Sequence, residues 1–435
     1  MEILNHGGFN FRRTKYTKMA EKIKVAHIIT LLELGGAQKN TLYTCEHLDK
    51  NRFDVILICG KGGSLDYKTK NIKTFFVKEL LRQICPICDL IALLKIYKIL
   101  KKERPDIVHT HSSKAGILGR WAAYLYNCCS RVHEFTSSRV THQHINTPAR
   151  QIRSGGSTHQ RSLCKIIHTF HGFGFNDEQN YFVKKIYILA EWLTAKITDK
   201  LIAVSYENIS KGLKNKIGDK LQYTMIRSGI KLKDYQINPE SGLCEIEKKK
   251  RVFGITNEQV VGMIACFKKQ KSPLDFIKVA KLVCNEKPNT KFILVGDGIL
   301  RNEIEIEIKN LELEKNVILT GWRKDTNEII KIFDVFVLTS LWEGLPRVIV
   351  EAMASEVPVV ATYVDGTKEI VQEGLTGFVV YPHEIEKLSE RILKLLNNAD
   401  LRKKFSQVAK KRVQEFDIDL MVSQQEKLYL PLADR

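Results

Sequence analysis

Nowhere in its 435 residues does this sequence hold an unbroken apolar run of the about 18 residues that a membrane-spanning helix needs. Its first stretch, MEILNHGGFNFRRTKYTKMAEKIK, has no apolar core of signal-peptide length, so a cytoplasmic protein is expected. Ten cysteines are too few for a disulfide scaffold. They stand singly in apolar runs, as Cys45, Cys59, Cys266 and Cys284 do, or as the pairs Cys85/Cys88 and Cys128/Cys129, which fits a reducing compartment. Cys85 and Cys88 lack a second pair at zinc-site spacing and precede an apolar helix pattern; semi-buried helix cysteines are the plainer reading. Only 10 prolines and 26 glycines exclude collagen-like and Pro/Gly-rich disordered chains, and 44% hydrophobic residues can fill real cores. Acidic residues are scarce in one part alone. Residues 1–250 carry 42 basic and 22 acidic side chains, the rest 27 of each, so the net +20 lies wholly in the first part. Such asymmetry points to two halves with different partners.

What is present is an alternation. Residues 23–30 are a short apolar run followed by Gly35-Gly36, which predicts a buried strand, a glycine turn and a helix from about residue 37. Residues 53–59 read as a second strand. Residues 89–103 show apolar positions at helical spacing, with Asp89 as N-cap. Strands follow at 105–111, 166–170 and 201–204. After a lysine-rich connector over 232–250, strands return at 260–265, 292–295, 317–320, 335–338, 357–361 and 377–380. Strands alternating with helices mean βαβ units and parallel sheets covered on both faces. The expected fold class is α/β, with two Rossmann-like doubly wound domains facing a cleft beyond the carboxyl ends of their strands, where ligands bind.

The expected division is an extension over 1–18, with Met19 a reasonable alternative start; a first domain over 19–235; a linker over 236–250; and a second domain over 251–415. A helix over 416–435 is expected to return toward the first domain. Residues 128–164 fit no pattern. They carry one acid, Glu134, and four histidines, His133, His142, His144 and His159, without helical or strand periodicity, so they read as an irregular insertion. A metal site from Cys128, Cys129, His133 and Cys164 is the sharper alternative, against which the irregular spacing counts.

The most informative stretch follows the strand at 335–338 and runs from Ser340 through Glu343, Gly344, Leu345, Pro346 and Arg347 to Glu351. Pro346 suits the first helical position, where its missing N–H costs nothing. Glu343 then lies in a strand-to-helix loop and Glu351 in the second turn. A helix start preceded by glycine offers free N–H groups and a positive dipole end, which suits phosphate. A loop carboxylate beside it can accept hydrogen bonds from hydroxyls. A sugar nucleotide has both parts. The plain structural alternative is an ordinary helix start with a dipole-favoured glutamate.

With Glu343 and Glu351 as its Glu-x7-Glu pair, the chain resembles the retaining glycosyltransferases of the family-4 type, which have the two-domain GT-B fold. Further segments resemble that family in order and spacing: Gly35-Gly36-Ala37-Gln38, Arg104 to His111, His168 to Gly172, Asp199 to Ser205, Val295 to Gly298 and Asp365 to Glu369. The resemblance runs from about residue 22 to residue 430 outside the insertion. It implies that Glu343 contacts the donor sugar and Glu351 the ribose. By the same resemblance, Gly344, Leu345 and Pro346 meet the sugar-phosphate region, and His171 is the first-domain histidine that approaches the sugar. Gly35 and Gly36 form the loop that comes close to donor phosphate and acceptor, and Trp322 and Arg323 border the base. Lys271 matches the family's phosphate lysine. Where the family often has an arginine five residues before it, this chain has Cys266, which cannot offer a fork of donors; Lys268 or Lys269 is the substitute within reach.

The activity so implied is transfer of a hexosyl unit from a nucleotide sugar, UDP-sugar favoured, with retention, to a lipid-linked or polysaccharide acceptor. No Asp-x-Asp pair stands in a suitable loop, so no metal and no other cofactor is expected. A GT-B-fold epimerase or phosphorylase is the alternative enzyme. A basic binding protein is the alternative of another class, but no RNA-recognition motif is present and no nucleic-acid partner is expected. The basic amphipathic stretches 78–104 and 181–200 suit an anionic membrane surface, with solvated helix faces as the plainer reading.

Overall fold

The computed structural model describes residues 21–141, 163–176, 178–238 and 240–433, with side chains outside 131–141. The first sheet has seven parallel strands: β1 (Ile23–Ile29), β2 (Phe53–Cys59), β3 (Lys73–Phe76), β4 (Ile107–His111), β5 (Lys165–Phe170), β6 (Lys200–Ala203) and β7 (Tyr223–Met225). Their order is β3-β2-β1-β4-β5-β6-β7. The second has six: β8 (Val260–Ile264), β9 (Lys291–Val295), β10 (Val317–Leu319), β11 (Val335–Leu338), β12 (Val359–Thr362) and β13 (Gly377–Val380), in the order β10-β9-β8-β11-β12-β13. Both are doubly wound, as their apolar strands require: strands buried on both faces need helices on both sides. The order reverses between β1 and β4 in one sheet and between β8 and β11 in the other, which places a crevice at each switch point.

Several local expectations change. The two edge strands of the first sheet, β3 and β7, were not expected; both are short and only partly buried, so neither shows an apolar run. The helix at 89–103 begins earlier, as Pro86–Glu103, with Cys85 as N-cap; Asp89 sits inside the first turn and accepts the Cys85 N–H at 3.3 Å. Pro346 is the N-cap of helix Arg347–Ala354, one position before its first residue. The helix Ser113–Thr141 continues well into the segment read as irregular. No glycine or proline lies between Gly119 and Pro148 to stop it, and propensity carries a helix that lacks a clear apolar stripe. Residues 142–162, which hold three of the four histidines noted there, lie outside the described residues, as does the extension before residue 21. The lysine-rich connector contains the helix Gly242–Val252.

The last helix, Ile418–Ala433, lies on the first sheet. Ile418, Met421, Val422 and Tyr429 pack with Val25, Phe53, Ile107 and Ile167 in one apolar cluster. The Tyr429 hydroxyl reaches His109 Nδ1 at 2.5 Å. Elsewhere in the first domain the fully buried Arg120 pairs with Glu191 at 2.6 Å, joining helix Ser113–Thr141 to helix Tyr181–Ala195.

Candidate active site

On the second domain the site grows from the ends of β8 and β11, either side of the switch point. Beyond β11 the chain runs through Thr339 to Pro346 before turning into helix Arg347–Ala354. That loop is laced to the segment after β8. The Thr339 hydroxyl donates toward the Lys271 and Ser272 carbonyls, both at 2.9 Å, and the Leu341 N–H donates to the Gln270 carbonyl at 2.8 Å. The Lys271 ammonium donates to Glu343 Oε1, and the Ser340 hydroxyl donates to the same oxygen at 2.7 Å. The Glu343 N–H donates to Asp365 Oδ2 at 2.8 Å. Burial raises the Asp365 pKa, followed by a smaller opposing effect of that N–H. Glu343 is thus held by its carboxylate on one side and by its backbone on the other.

On the first domain the site is a run of imidazoles at the ends of β1, β4 and β5. His27 Nδ1 lies 3.0 Å from His111 Nε2, and His111 Nδ1 lies 3.3 Å from His171 Nε2. His109 is engaged separately, with Tyr429 at 2.5 Å and with the Thr169 hydroxyl at 2.7 Å. Burial pushes His171 down to about 4 and His27 to about 3, and holds His109, His111 and His168 well below the usual imidazole range. All five are therefore neutral near pH 7. The outer atoms of the run, His27 Nε2 and His171 Nδ1, are buried without a hydrogen-bond partner among the described residues. His27, His109 and His111 are close enough to suggest a metal cluster, with one nitrogen each within 4.8 Å of the others. Hydrogen bonds already employ these rings, and among the described residues no carboxylate or thiolate joins them.

The two halves meet at these groups. A Cβ on Gly344 would lie 1.9 Å from the His171 carbonyl oxygen, so only glycine lets the backbones approach this closely. Gly35 is the N-cap of helix Gly36–His47, and the Gly36 carbonyl accepts from Arg347 Nη1 at 3.0 Å. A Cβ on Gly36 would lie 2.9 Å from the Arg347 Cδ, so the bare backbone makes room for that side chain. Glu351, at the start of the second turn, is buried, and Tyr235 and Lys39 lie within its electrostatic reach.

The structure therefore brings together Gly35, Gly36, His171, Lys271, Glu343, Gly344 and the helix carrying Glu351. Leu345 and Pro346 are buried in the loop and fix its path. Lys268 is half-buried beside Cys266, whose carbonyl accepts its N–H at 3.0 Å. Lys269 is exposed and pairs with Glu178 of the first domain at 3.3 Å. Trp322 is exposed. Arg323 is held by both oxygens of Asp325, at 2.8 and 2.7 Å, so its guanidinium is spoken for. Sequence reasoning assigned no role to Ser340, Asp365, His111 or Arg347. Asp365 and His111 lie inside the family-like segments, and Arg347 directly follows Pro346; nothing in their spacing says which atom each would hold.

Two doubly wound parallel-sheet domains facing each other at their switch points define the GT-B class of fold. Residues 245–412 match the family model described as "Glycosyl transferases group 1", and residues 34–150 match "Glycosyltransferase Family 4". The chain is 32% identical over 417 residues, 95% of its own length and 98% of the relative's, to the UDP-Gal:alpha-D-GlcNAc-diphosphoundecaprenol alpha-1,3-galactosyltransferase of Escherichia coli. It is 25% identical over 412 residues to the capsular polysaccharide biosynthesis glycosyltransferase CapM of Staphylococcus aureus, covering 93% of this chain and 96% of that one. The crystal structure of HepE from Anabaena, in complex with UDP and glucose, has the same fold: TM-score 0.74 at 19% identity, over 94% of this chain and 100% of that one. The protein belongs to the family-4 glycosyltransferases.

Proposed function

We propose that the protein moves a hexosyl unit, with retention at the anomeric carbon, from a UDP-sugar to a lipid-linked or polysaccharide acceptor in cell-surface glycan assembly. The observation that carries this reading is the pinned carboxylate. Glu343 stands at the second switch point, held by Lys271, Ser340 and Asp365, and the Gly344 next to it touches the backbone of His171. The 32% identical relative is named for a UDP-galactose donor and a diphosphoundecaprenol-linked acceptor, and HepE was crystallised with UDP and glucose. These support a UDP-sugar and a lipid-linked glycan for this chain.

In this reading Lys271 exchanges its Glu343 partner for the donor diphosphate. The freed carboxylate then accepts from a sugar hydroxyl, while the ammonium and the start of helix Arg347–Ala354 take up charge on the leaving phosphates. Glu351 holds the ribose, Gly35 and Gly36 admit the phosphates, and Trp322 borders the base. Charge neutralisation falls to these groups, and we assign none of it to a metal. Neutral His171 offers a hydrogen bond to the sugar without adding charge. The leaving phosphate takes the acceptor's proton on the face it departs from. Contact of the two domains at Gly344 and His171 keeps water out.

Residues 19–235 are the acceptor domain and 251–415 the nucleotide-sugar domain, joined through 236–250, and the last helix ties the two. Among the described residues no helix is long and apolar enough to cross a membrane. Helices Pro86–Glu103 and Tyr181–Ala195 instead expose apolar side chains, Ile87 at 75% and Phe182 at 74%, beside Lys95, Lys98, Lys184 and Lys185. We assign this face to an anionic membrane on the cytoplasmic side, where the acceptor would be met. The test is UDP release from UDP-sugars with membrane extract as acceptor. Glu343→Ala should abolish it with folding intact; undiminished turnover would sink the assignment.

A further inference from the structure

We propose that Arg347 is a ligand of the donor diphosphate and does the work that Cys266 leaves undone. This rests on the UDP-sugar reading above. Cys266 stands where an arginine fork is expected, and its thiol has no such donors. None of the nearby lysines supplies a fork: Lys269 is paired with Glu178 at 3.3 Å, and Lys268 and Lys271 are point charges. Arg347 has what is missing. It is the first residue of its helix, four positions after Glu343 and four before Glu351, hence between the sugar end and the ribose end of the proposed donor.

Its side chain crosses the cleft. Nη1 donates to the Gly36 carbonyl at 3.0 Å, in the glycine loop of the opposite domain. Its Nε is buried with no hydrogen-bond partner among the described residues, a donor left open to an acceptor. The positive charge is felt on both sides: it lowers His171 after burial does, and it acts on Lys39 and Tyr235, the two neighbours of Glu351. A diphosphate lying between Glu343 and Glu351 would meet this Nε edge, while Nη1 keeps its carbonyl. Planar bidentate donation to phosphate oxygens is what a guanidinium does best. The same grip would close the glycine loop over the donor, so one side chain both binds phosphate and joins the domains.

The experiment measures binding of UDP and of uridine by calorimetry, uridine by displacement. It uses the full-length protein and the variants Arg347→Gln, Arg347→Lys and Arg347→Gln with Cys266→Arg. The Gln variant should bind UDP about ten- to hundredfold more weakly, the scale of a lost charged hydrogen bond, and bind uridine as the wild type does. The Lys variant should fall between. Arginine at 266 should recover much of the lost UDP affinity and none of it for uridine. Equal weakening of UDP and uridine would make Arg347 merely structural, and UDP binding within twofold of wild type would overturn the proposal. No recovery from Cys266→Arg would overturn the claim that the two positions do one job. A wild-type protein that binds no UDP would instead remove the donor reading itself.

Discussion

His111 Nδ1 lies 3.3 Å from His171 Nε2, so the ring proposed to meet the donor sugar is held by a second ring with no side-chain role of its own in the donor site. The run continues to His27, whose Nδ1 lies 3.0 Å from His111 Nε2. Two proton arrangements are possible. If the N–H groups point from His27 toward His171, the inner end carries only a bare lone pair, and His171 keeps an Nδ1–H for the sugar. The reverse leaves a buried N–H on His27 unpaired, the costlier orphan. His111→Phe should therefore free His171 to change tautomer. Nitrogen chemical shifts should show the Nδ1–H population fall, and kcat should drop about tenfold with little change in KM. An unchanged tautomer would contradict the relay.

Lys271→Met removes the cation that holds Glu343 and, on our reading, the leaving diphosphate. Loss of one preorganised charged group costs about a hundredfold or more in kcat. UDP affinity should also weaken, and the buried Glu343 carboxylate, stranded without its cation, should lower the thermal transition as well, although Ser340 and Asp365 still hold the loop. Steady-state kinetics of purified variants check this.

Acid should unfold this protein steeply. His27, His109, His111, His168 and His171 have folded pKa values below the unfolded imidazole value of 6.5. Below that value the unfolded chain binds protons that the folded one refuses, so stability falls as pH drops from 6.5 toward the folded values near 4 and 3. Each such group contributes a slope of about 1.4 kcal/mol per pH unit inside its window. Urea midpoints between pH 7 and pH 5 should fall, and the fall should be shallower in His27→Phe.

Glu191→Ala leaves the fully buried Arg120 charge without its partner. The expected destabilisation is about 3–5 kcal/mol. The double variant Arg120→Met with Glu191→Leu should recover most of it, because the pair owes its place to packing between two helices as much as to charge. Chemical denaturation of the three proteins distinguishes a lost pair from a stranded charge.

Membrane contact should depend on the apolar side chains as well as the lysines. Phe182→Ser with Ile87→Ser should reduce sedimentation with anionic vesicles several-fold at physiological salt. Equal failure of the wild type to bind anionic and neutral vesicles would leave ordinary solvated helix faces.

Much of the frame was legible because buried parallel strands write themselves as short apolar runs. Eleven strands were expected at or near their observed places, and the glycines after β1 and the glutamate after β11 stood at strand ends, where α/β sheets bind ligands. The short edge strands β3 and β7 were not legible, since edges carry little burial and so little pattern. The second half of helix Ser113–Thr141 fell in the segment read as irregular, because propensity without an apolar stripe is a weak signal.

The site divides the same way. Residue type and order determined two α/β domains and the positive charge of the first, and the family resemblance they carry implied the candidate set Glu343, Glu351, Lys271, His171 and the Gly35-Gly36 loop. Tertiary structure decided which atoms each one holds. It gave Glu343 to Lys271, Ser340 and Asp365, took Arg323 for Asp325 and Lys269 for Glu178, and joined His27, His111 and His171 across three strands. It also carried Arg347 across the cleft to Gly36. Apart from Ser340 with Glu343 and Arg323 with Asp325, these partners lie tens to hundreds of residues apart in sequence. Local pattern records burial and backbone preference, whereas a hydrogen bond between distant side chains exists only once the packed sheets have brought its two ends together.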